Sequence, residues 1–241
     1  MKYNMLPLVS CIIPTKNRRF LLSKTLDYLY NTKYPNLEII IIDDNSTDDT
    51  QQFCKNLSNI KYIHLEESSN SVSIPRNIGI SHSTGKYIAH VDDDVFCLPN
   101  KFDVLVNCLE NDNKLSLAYG NRVNCNCSVI NDEIIIINME DIKSSGWNPK
   151  LTWGVDGGQY IYRADVYEHI PLVFSRRGCD WEVAKSITSF NSNIGYVNEL
   201  VCMYLWHENN RSNFEQTKRD IIYPQKFEKY FKFKLDLPKY V

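Results

Sequence analysis

The sequence predicts an α/β fold with a mostly parallel central sheet flanked by helices. In the first half of the 241-residue chain, short apolar runs alternate with segments of helical periodicity in the order βαβαβαβα. This order brings strands together in parallel and places helices on both faces of the sheet. Two acidic clusters directly follow strands, and ligands of such sheets bind beyond the carboxyl ends of the strands.

Local signals define the elements of the first half. Apolar runs predict buried strands over residues 8–14, 37–42, 60–65 and 87–91. Helical spacing or capping residues predict the helices that follow: one around Leu22, Leu26 and Leu29, one from Thr47 or Asp48 to Leu57, one over 73–81, and one after Asn100 that buries Phe102, Leu105, Val106 and Leu109.

The second half is less regular and predicts a smaller, mixed β region. Residues 133–138 are rich in β-formers, and an edge hairpin with 117–120 is one interpretation. A loop with tryptophan and glycine covers 146–158, a helix is expected over 180–190, and residues 194–204 precede a basic and aromatic tail. We interpret this half as a continuation of the same domain that forms one wall of the site.

Composition excludes several classes of protein. The 27 basic and 29 acidic side chains give a net charge of −2, which argues against a nucleic-acid binder. The 43% hydrophobic and 12% aromatic content excludes a disordered chain. No apolar run approaches the ~20 residues that span a bilayer, and no signal-peptide pattern is present, so we expect a cytoplasmic protein. Its eight cysteines are expected to be reduced, and Cys125 and Cys127 lack a second pair at zinc spacing.

The run Asp92-Asp93-Asp94 follows the fourth predicted strand. Three consecutive carboxylates repel one another unless a cation or hydrogen bonds offset the repulsion. Carboxylate oxygens suit Mg²⁺ or Mn²⁺, which bind phosphate oxygens in their remaining positions. The run therefore favours a divalent-cation site over a solvated acidic turn.

The run Asp43-Asp44-Asn45-Ser46 follows the second predicted strand. Alone it is an ordinary turn sequence, but its placement in the same crevice as the aspartate triple favours a functional role. A carboxylate here could accept hydrogen bonds from a base N–H or from ribose hydroxyls. Neither a G-x-G-x-x-G nor a G-x-x-x-x-G-K-[ST] motif is present, so a dinucleotide fold and a P-loop NTPase are not supported.

Three segments together resemble the family 2 glycosyltransferases of the GT-A fold. They are Val-Ser-Cys-Ile-Ile-Pro-Thr-Lys-Asn-Arg at 9–18, the segment 39–50 with Asp-Asp-Asn-Ser-Thr-Asp-Asp-Thr, and the segment 75–94 from Pro-Arg-Asn-Ile-Gly to His-Val-Asp-Asp-Asp. The second half matches only in pieces. The resemblance implies inverting transfer of a sugar from a nucleoside-diphosphate sugar, most commonly a UDP-sugar, to a glycan, lipid-linked or protein acceptor, with Mn²⁺ or Mg²⁺ as cofactor.

The resemblance also implies site residues. Nucleotide contacts are implied at Pro14, Thr15, Asn17, Arg18, Asp44, Arg76, Asp92 and Asp93. Among them, Asp44 matches the acid that recognises the base, and Asp93 matches a ribose contact. Asp92 and Asp94 bracket the D-x-D motif, and Asp94 matches the direct metal ligand. His207 resembles a late histidine that completes the metal shell or contacts the diphosphate, although a lone histidine is more often structural.

The catalytic base is expected in the second half. Family members carry an acidic pair before an aromatic residue and another acid, and this chain has Gly-Cys-Asp-Trp-Glu at 178–182. Cys179 replaces the first acid, and Asp180 matches the base. The alternative for Asp180 is a helix N-cap. Glu182 is the fallback base, although helical geometry aims it in a different direction.

The segment 153–163 resembles the part of the family that faces the transferred sugar and the acceptor. The implied contacts are Trp153, Asp156 and Gly157, together with Glu182. The tryptophan face could stack on a sugar ring, and Asp156 could bind sugar hydroxyls. The alternative is a glycine-rich loop that packs on Trp153.

We expect one GT-A domain over residues 1–241, with a nucleotide-binding half at 1–115 and an acceptor and catalytic half with a C-terminal tail at 116–241. The basic and aromatic tail at 218–240 is interpreted as an amphipathic cover in preference to a peripheral membrane or acceptor contact. Richness in Asn, Ile and Lys indicates an AT-rich genome, bacterial or viral.

Two rival functions stay open. A sugar-nucleotide nucleotidyltransferase also uses an α/β sheet and acidic metal ligands, but its glycine- and arginine-rich N-terminal loop is missing here. A non-catalytic nucleotide-sugar-binding module is conceivable because Cys179 replaces an acid. Release of pyrophosphate would identify the first rival, and donor binding without turnover would identify the second.

Overall fold

The computed structural model describes residues 6–147, 155–174, 179–208, 210 and 224–232. Its strands are β1 (Val9–Thr15), β2 (Leu37–Asp43), β3 (Ile60–His64), β4 (Tyr87–His90), β5 (Val95–Cys97), β6 (Leu117–Ile130), β7 (Glu133–Ile142), β8 (Tyr160–Arg163) and β9 (Ile194–Trp206). Its α-helices are α1 (Arg19–Tyr30), α2 (Thr50–Lys55), α3 (Ser73–His82), α4 (Lys101–Asn111) and α5 (Cys179–Phe190). Short 3₁₀ helices cover Gly157–Gln159, Ala164–Glu168 and Pro224–Tyr230.

The strands form one sheet in the order β3-β2-β1-β4-β8-β6-β9-β5, and β7 pairs with β6. The pairs among β3, β2, β1 and β4 are parallel, which confirms the prediction for the first half. Strand β8 is antiparallel to both β4 and β6, and β9 is parallel to β6 and antiparallel to β5. The second half therefore adds the expected mixed region, and it extends the same sheet.

The parallel strands are held by apolar side chains that alternate between the two faces. Ile13 and Ile41 point into a cluster with the leucines of α1 and the apolar face of α4. Ile40 and Ile42 point to the opposite face, where they pack against residues of α3. Each fully buried side chain of this size contributes about 1.5–3 kcal/mol. Burial on both faces explains why these strands are continuous apolar runs.

Three details of the predicted elements were wrong. The helix expected from Thr47 or Asp48 is the shorter α2, because the backbone N–H of Thr47 is held by Asn17 Oδ1 at 2.7 Å. The edge hairpin is formed by β7 with the 122–130 part of β6, because 117–119 already pair with β8 and β9. The short strands β5 and β8 and the long strand β9 were not predicted.

The hairpin between β6 and β7 turns at two residues with positive φ. Asn131 has φ 50° and Asp132 has φ 59°. Two-residue hairpin loops of type I′ need positive φ at both central positions and favour Asn and Asp there. The pair Asn131-Asp132 was therefore an available signal for the correct register.

The 3₁₀ helix at Pro224–Tyr230 returns to the first half of the chain. Phe227 is buried with Ile40, Ile74 and Ile78, and Tyr230 Oη accepts a hydrogen bond from the backbone N–H of Glu66 at 2.8 Å. This described part of the tail covers apolar surface, as an amphipathic segment does. Among the residues described, there is no helix with the length and apolarity that membrane crossing needs.

Helix α3 lies against β1 at a distance that only glycine permits. A Cβ atom on Gly79 would lie 2.3 Å from Ile12 Cγ2 and 3.3 Å from Ile12 Cβ. Both residues are completely or almost completely buried, so neither side can move without disturbing the sheet. This contact also sets the height of Arg76, which lies one turn earlier on the same helix.

We expect Gly79→Ala to lower the free energy of unfolding by about 1–3 kcal/mol. Alanine alone would favour the helix by about 1 kcal/mol, but the overlap with Ile12 outweighs that gain. Urea denaturation monitored by circular dichroism measures the difference. Lys24→Ala, on the exposed side of α1, is the control and should change stability by less than about 0.5 kcal/mol. An unchanged midpoint for Gly79→Ala would contradict the close packing of α3 on β1.

Candidate active site

The two acidic clusters meet at the carboxyl end of β1. The carbonyl oxygen of Thr15 accepts a hydrogen bond from the backbone N–H of Asp44 at 2.9 Å. The hydroxyl of the same Thr15 donates to Asp93 Oδ2 at 2.8 Å. Pro14, the preceding residue, is buried in the strand opposite Ile42. One strand end therefore joins the acids after β2 to the acids after β4, in the single crevice that the parallel order predicts.

Asp44 sits in a small polar pocket. Its Oδ1 accepts from the backbone N–H of Ser69 at 2.6 Å, and its Oδ2 accepts from the Ser68 hydroxyl at 2.8 Å. Burial raises the pKa of this carboxyl above its usual value, and the hydrogen bonds from Ser69 and Ser68 oppose that rise. Lys16 Nζ donates to the same Ser68 hydroxyl at 2.6 Å. The pocket can present carboxylate lone pairs to a planar N–H donor.

The neighbouring residues Asp43 and Asn17 shape this pocket. Asp43 is completely buried, and its carboxylate accepts from Tyr62 Oη at 2.7 Å and from the backbone N–H of Ser46 at 2.8 Å. Asn17 has φ 53°, a left-handed conformation that asparagine tolerates better than most residues. Its side chain holds the turn after β2 through Thr47. Both residues fix the backbone that carries Asp44.

Arg18 joins two of the three consecutive aspartates. Its Nη1 lies 2.8 Å from Asp93 Oδ1 and 3.1 Å from Asp94 Oδ2. Burial raises the pKa of Asp93 to about 6, against the opposing attraction of Arg18. The hydroxyl of Thr25, from α1, donates to the backbone carbonyl of Asp93 at 2.9 Å. The aspartate run is therefore held by specific partners, as opposed to being a solvated turn.

Arg76 connects the aspartate run to the second half of the chain. Its Nη2 lies 2.5 Å from Asp92 Oδ1 and 2.8 Å from Asp92 Oδ2, and its Nη1 lies 3.7 Å from Asp180 Oδ1. The arginine side chain is 3% exposed. Burial alone would lower the pKa of Arg76, but Asp92 and Asp180 outweigh that cost and hold it above its ordinary value. A buried guanidinium thus fixes two carboxylates from distant parts of the chain.

Asp180 lies in the first turn of α5, one residue after the helix begins at Cys179. Its Oδ2 accepts a hydrogen bond from the backbone N–H of Gly157 at 2.9 Å, and its carbonyl accepts from Tyr160 Oη at 2.6 Å. The alternative in which Asp180 is the N-cap was wrong, because its carboxylate turns towards Gly157 and Arg76. Glu182 lies in the same turn and is half-buried.

Cys179 is completely buried beside Arg76. Burial raises the pKa of its thiol to about 11, while the charge of Arg76 opposes the rise. The thiol is therefore protonated and uncharged at neutral pH. Replacement of an acid by this cysteine leaves Asp92 and Asp180 as the acids whose attraction holds the charge of Arg76.

The three residues expected to bind the metal ion, Asp92, Asp94 and His207, do not form one cluster. Asp94 Oδ2 lies 3.7 Å from His207 Nε2 and accepts a hydrogen bond from Asn210 Nδ2 at 2.9 Å. Both oxygens of Asp92 are held by Arg76. Within the described ranges, no group of three or more His, Cys, Asp or Glu side chains is arranged to hold a metal ion. A carboxylate and an imidazole at this separation nevertheless fit two positions of a Mn²⁺ ion whose other ligands are phosphate oxygens and water.

The wall of the site beyond Asp180 contains the predicted Asp156 and two residues that sequence reasoning missed, Arg122 and Gln159. The carboxylate of Asp156 forms an ion pair with Arg122, and the backbone N–H of Asp156 donates to Gln159 Oε1 at 3.0 Å. Gln159 is completely buried and donates to the carbonyl of Gly120 at 2.9 Å. These contacts depend on the antiparallel insertion of β8, for which the sequence shows no clear signal. Trp153 lies outside the described residues.

Comparisons with known proteins identify a family. The model of the family described as "Glycosyl transferase family 2" matches residues 10–170. The "GalNAc(5)-diNAcBac-PP-undecaprenol beta-1,3-glucosyltransferase" of Campylobacter jejuni is 36% identical over 93 residues, which are 37% of this chain and 30% of the relative. The putative teichuronic acid biosynthesis glycosyltransferase TuaG of Bacillus subtilis is 37% identical over 95 residues, which are 38% of this chain and 37% of the relative. The chain spans only about a third of the length of these curated relatives.

Solved structures share the fold. TarS 1–349 of S. aureus in complex with UDP-GlcNAc has a TM-score of 0.69 and 17% identity, over 87% of this chain and 62% of that one. The mannosyltransferase PcManGT of Pyrobaculum calidifontis, in complex with GDP-Man and Mn²⁺, has a TM-score of 0.62 and 16% identity, over 86% of this chain and 59% of that one. The GT-A fold and the family match over more than half of the sequence lead to one conclusion: this chain belongs to glycosyl transferase family 2.

Proposed function

We propose that the protein is a metal-dependent inverting glycosyltransferase that moves a sugar from a UDP-sugar to a hydroxyl of a glycan or glycoconjugate acceptor. One observation carries the proposal. Arg76 holds Asp92, which lies just after the end of β4, and Asp180, which lies at the start of α5, within one site. In the proposal, the carboxylate of Asp180 would take a proton next to acids that would organise a diphosphate and its cation.

The donor nucleotide is proposed to lie along the carboxyl ends of β1, β2 and β4. Asp44 would accept a hydrogen bond from the base, because its carboxylate is fixed by Ser69 and Ser68 in a buried pocket. Asp93 would accept from a ribose hydroxyl. Its present partner Arg18 could then turn towards the diphosphate, which attracts a guanidinium more strongly than one shared carboxylate does.

The leaving diphosphate gains negative charge as the bond to the sugar breaks. A Mn²⁺ or Mg²⁺ ion held by Asp94 and His207 would supply positive charge at that point. The protein supplies two further positive groups, Arg18 and Arg76, at the two ends of the aspartate run. Preorganised charge of this kind stabilises developing charge without reorganisation.

Asp180 is proposed as the general base. The Gly157 N–H and Arg76 both contact its carboxylate and fix its orientation. Asp180 would accept the proton of the acceptor hydroxyl while that oxygen attacks C1 of the sugar from the face opposite the diphosphate. A single displacement inverts the anomeric centre. Trp153, Asp156, Gly157 and Glu182 are proposed to surround the sugar and the acceptor.

A panel of nucleotide sugars, incubated with and without Mn²⁺, tests the proposal. We expect one UDP-sugar to be turned over in the presence of Mn²⁺, with release of UDP. Release of pyrophosphate would identify a nucleotidyltransferase instead. Metal-dependent donor binding without turnover, over a set of acceptors with different hydroxyls, would support a binding module.

We expect Asp180→Asn to lower kcat by about 10²- to 10⁴-fold, because the amide cannot accept the acceptor proton. Donor affinity, measured by calorimetry with UDP, should stay within about two-fold since the change is isosteric and distant from the base pocket. Glu182→Gln, two residues further along the same helix, is the matched comparison. If Glu182→Gln loses activity and Asp180→Asn does not, the base is Glu182.

We expect Asp94→Asn to raise the Mn²⁺ concentration that gives half-maximal activity by about 10-fold or more, because a neutral amide binds the ion weakly. Manganese electron paramagnetic resonance in the presence of UDP measures binding directly. Asp141→Asn, an exposed acid on β7, is the control. Equal metal affinity in the Asp94→Asn and wild-type proteins would remove Asp94 from the metal site.

We expect Cys179→Ala to retain activity within about five-fold, because a thiol with a pKa of about 11 carries no charge at neutral pH. The buried thiol should also resist iodoacetamide in the folded protein. A loss as large as that of Asp180→Asn would show that the cysteine takes part in the chemistry.

A further inference from the structure

A buried lysine contacts the 3₁₀ turn that also contacts the proposed base Asp180. Lys101 is the first residue of α4 and is completely buried. Its Nζ donates to the carbonyl oxygen of Gly158 at 2.7 Å and lies 3.6 Å from Cys97 Sγ. A buried amine is costly unless it is hydrogen-bonded, and a positive side chain is also unfavourable at a helix N-terminus. Helix formation therefore does not explain a lysine at this position.

The two glycines of the 3₁₀ turn Gly157–Gln159 are packed closely against neighbouring elements. A Cβ atom on Gly158 would lie 2.5 Å from Val95 Cγ1. A Cβ atom on Gly157 would lie 3.1 Å from Asp180 Cβ and 3.3 Å from His90 Cβ. The turn is thus pressed between β5, the end of β4 and the start of α5, and its two glycines allow this approach.

The turn connects the contact of Lys101 to the contact of Asp180. Lys101 holds the carbonyl of Gly158, and the adjacent Gly157 donates its N–H to Asp180 Oδ2 at 2.9 Å. The two hydrogen bonds lie on neighbouring residues of a three-residue turn. A misplacement of about 1 Å at a reacting group can cost about 10²-fold in rate.

We propose that Lys101 is a positioning residue that fixes the carboxylate of Asp180 through the turn Gly157–Gln159. The proposal rests on the proposed function of Asp180 as the base. Lys101 does not touch the substrate. It sets the distance and angle of the Gly157 N–H, and that N–H holds one oxygen of Asp180 while Arg76 holds the other.

Two kinds of variant test the proposal. Lys101→Met removes the hydrogen bond and keeps the length of the side chain, and Lys101→Arg restores a buried donor. Gly158→Ala displaces the same turn by steric overlap with Val95 and leaves Lys101 in place. Val95→Ala, combined with Gly158→Ala, removes the overlap. Lys114→Met, an exposed lysine beyond the end of α4, is the control.

Steady-state kinetics gives the first readout. We expect Lys101→Met and Gly158→Ala to lower kcat by about 10- to 100-fold, with the KM for the donor within about two-fold of the wild type. Lys101→Arg and the Gly158→Ala, Val95→Ala double variant should recover most of kcat. A parallel loss of donor affinity, or no recovery in either rescue variant, would overturn the positioning role and leave general destabilisation.

Amide hydrogen exchange at Gly157 gives a second readout that does not depend on turnover. In the wild type, the N–H of Gly157 is held by Asp180, and we expect it to exchange at least about 10-fold faster in Lys101→Met. Unchanged exchange would overturn the coupling even if activity falls. If the wild-type protein turns over no donor, the proposed function fails, and the exchange rate still decides whether Lys101 controls the turn at Asp180.

Discussion

The site depends on one buried ion pair network in which Arg76 holds Asp92 and Asp180. A guanidinium that is 3% exposed requires charged partners, because an unpaired buried charge costs several kcal/mol. Those partners come from the loop after β4 and from the first turn of α5, which are separated by some of the least regular sequence in the chain. Arg76 itself is placed by α3, whose contact with β1 through Gly79 and Ile12 leaves no space. The packing of one helix on the central strand therefore determines where the proposed base meets the aspartate run.

The rest of the site is arranged around this network as pairs of opposite charge. Arg18 shares Asp93 and Asp94, Arg122 pairs with Asp156, and Arg76 pairs with Asp92. Three arginines face these four acids, so their positive charge offsets part of the repulsion between neighbouring carboxylates. A donor diphosphate with its metal ion would exchange for some of these pairs.

The parallel part of the fold, and the part of the site at its strand ends, follow from local sequence patterns. Parallel strands from βα units end at one edge, so the meeting of Asp44 and Asp93 at Thr15 could be predicted. The contact of Arg76 with Asp180 could not, because it depends on where α5 lies in the fold after a long and irregular connection. The same holds for Gln159, Arg122 and Lys101, whose partners are backbone carbonyls or acids brought close by the antiparallel β8. The Asn131-Asp132 turn is different, because these two residues are a local signal for the hairpin between β6 and β7.

A crystal structure with UDP and Mn²⁺ tests most directly whether the donor and its metal ion bind at this site. The ion is located by anomalous diffraction at the manganese edge. We expect one peak between Asp94 and His207, the uracil on Asp44, and the diphosphate facing Asp180 across Arg76. A manganese ion on other acids, or a nucleotide bound away from the carboxyl ends of β1, β2 and β4, would contradict it.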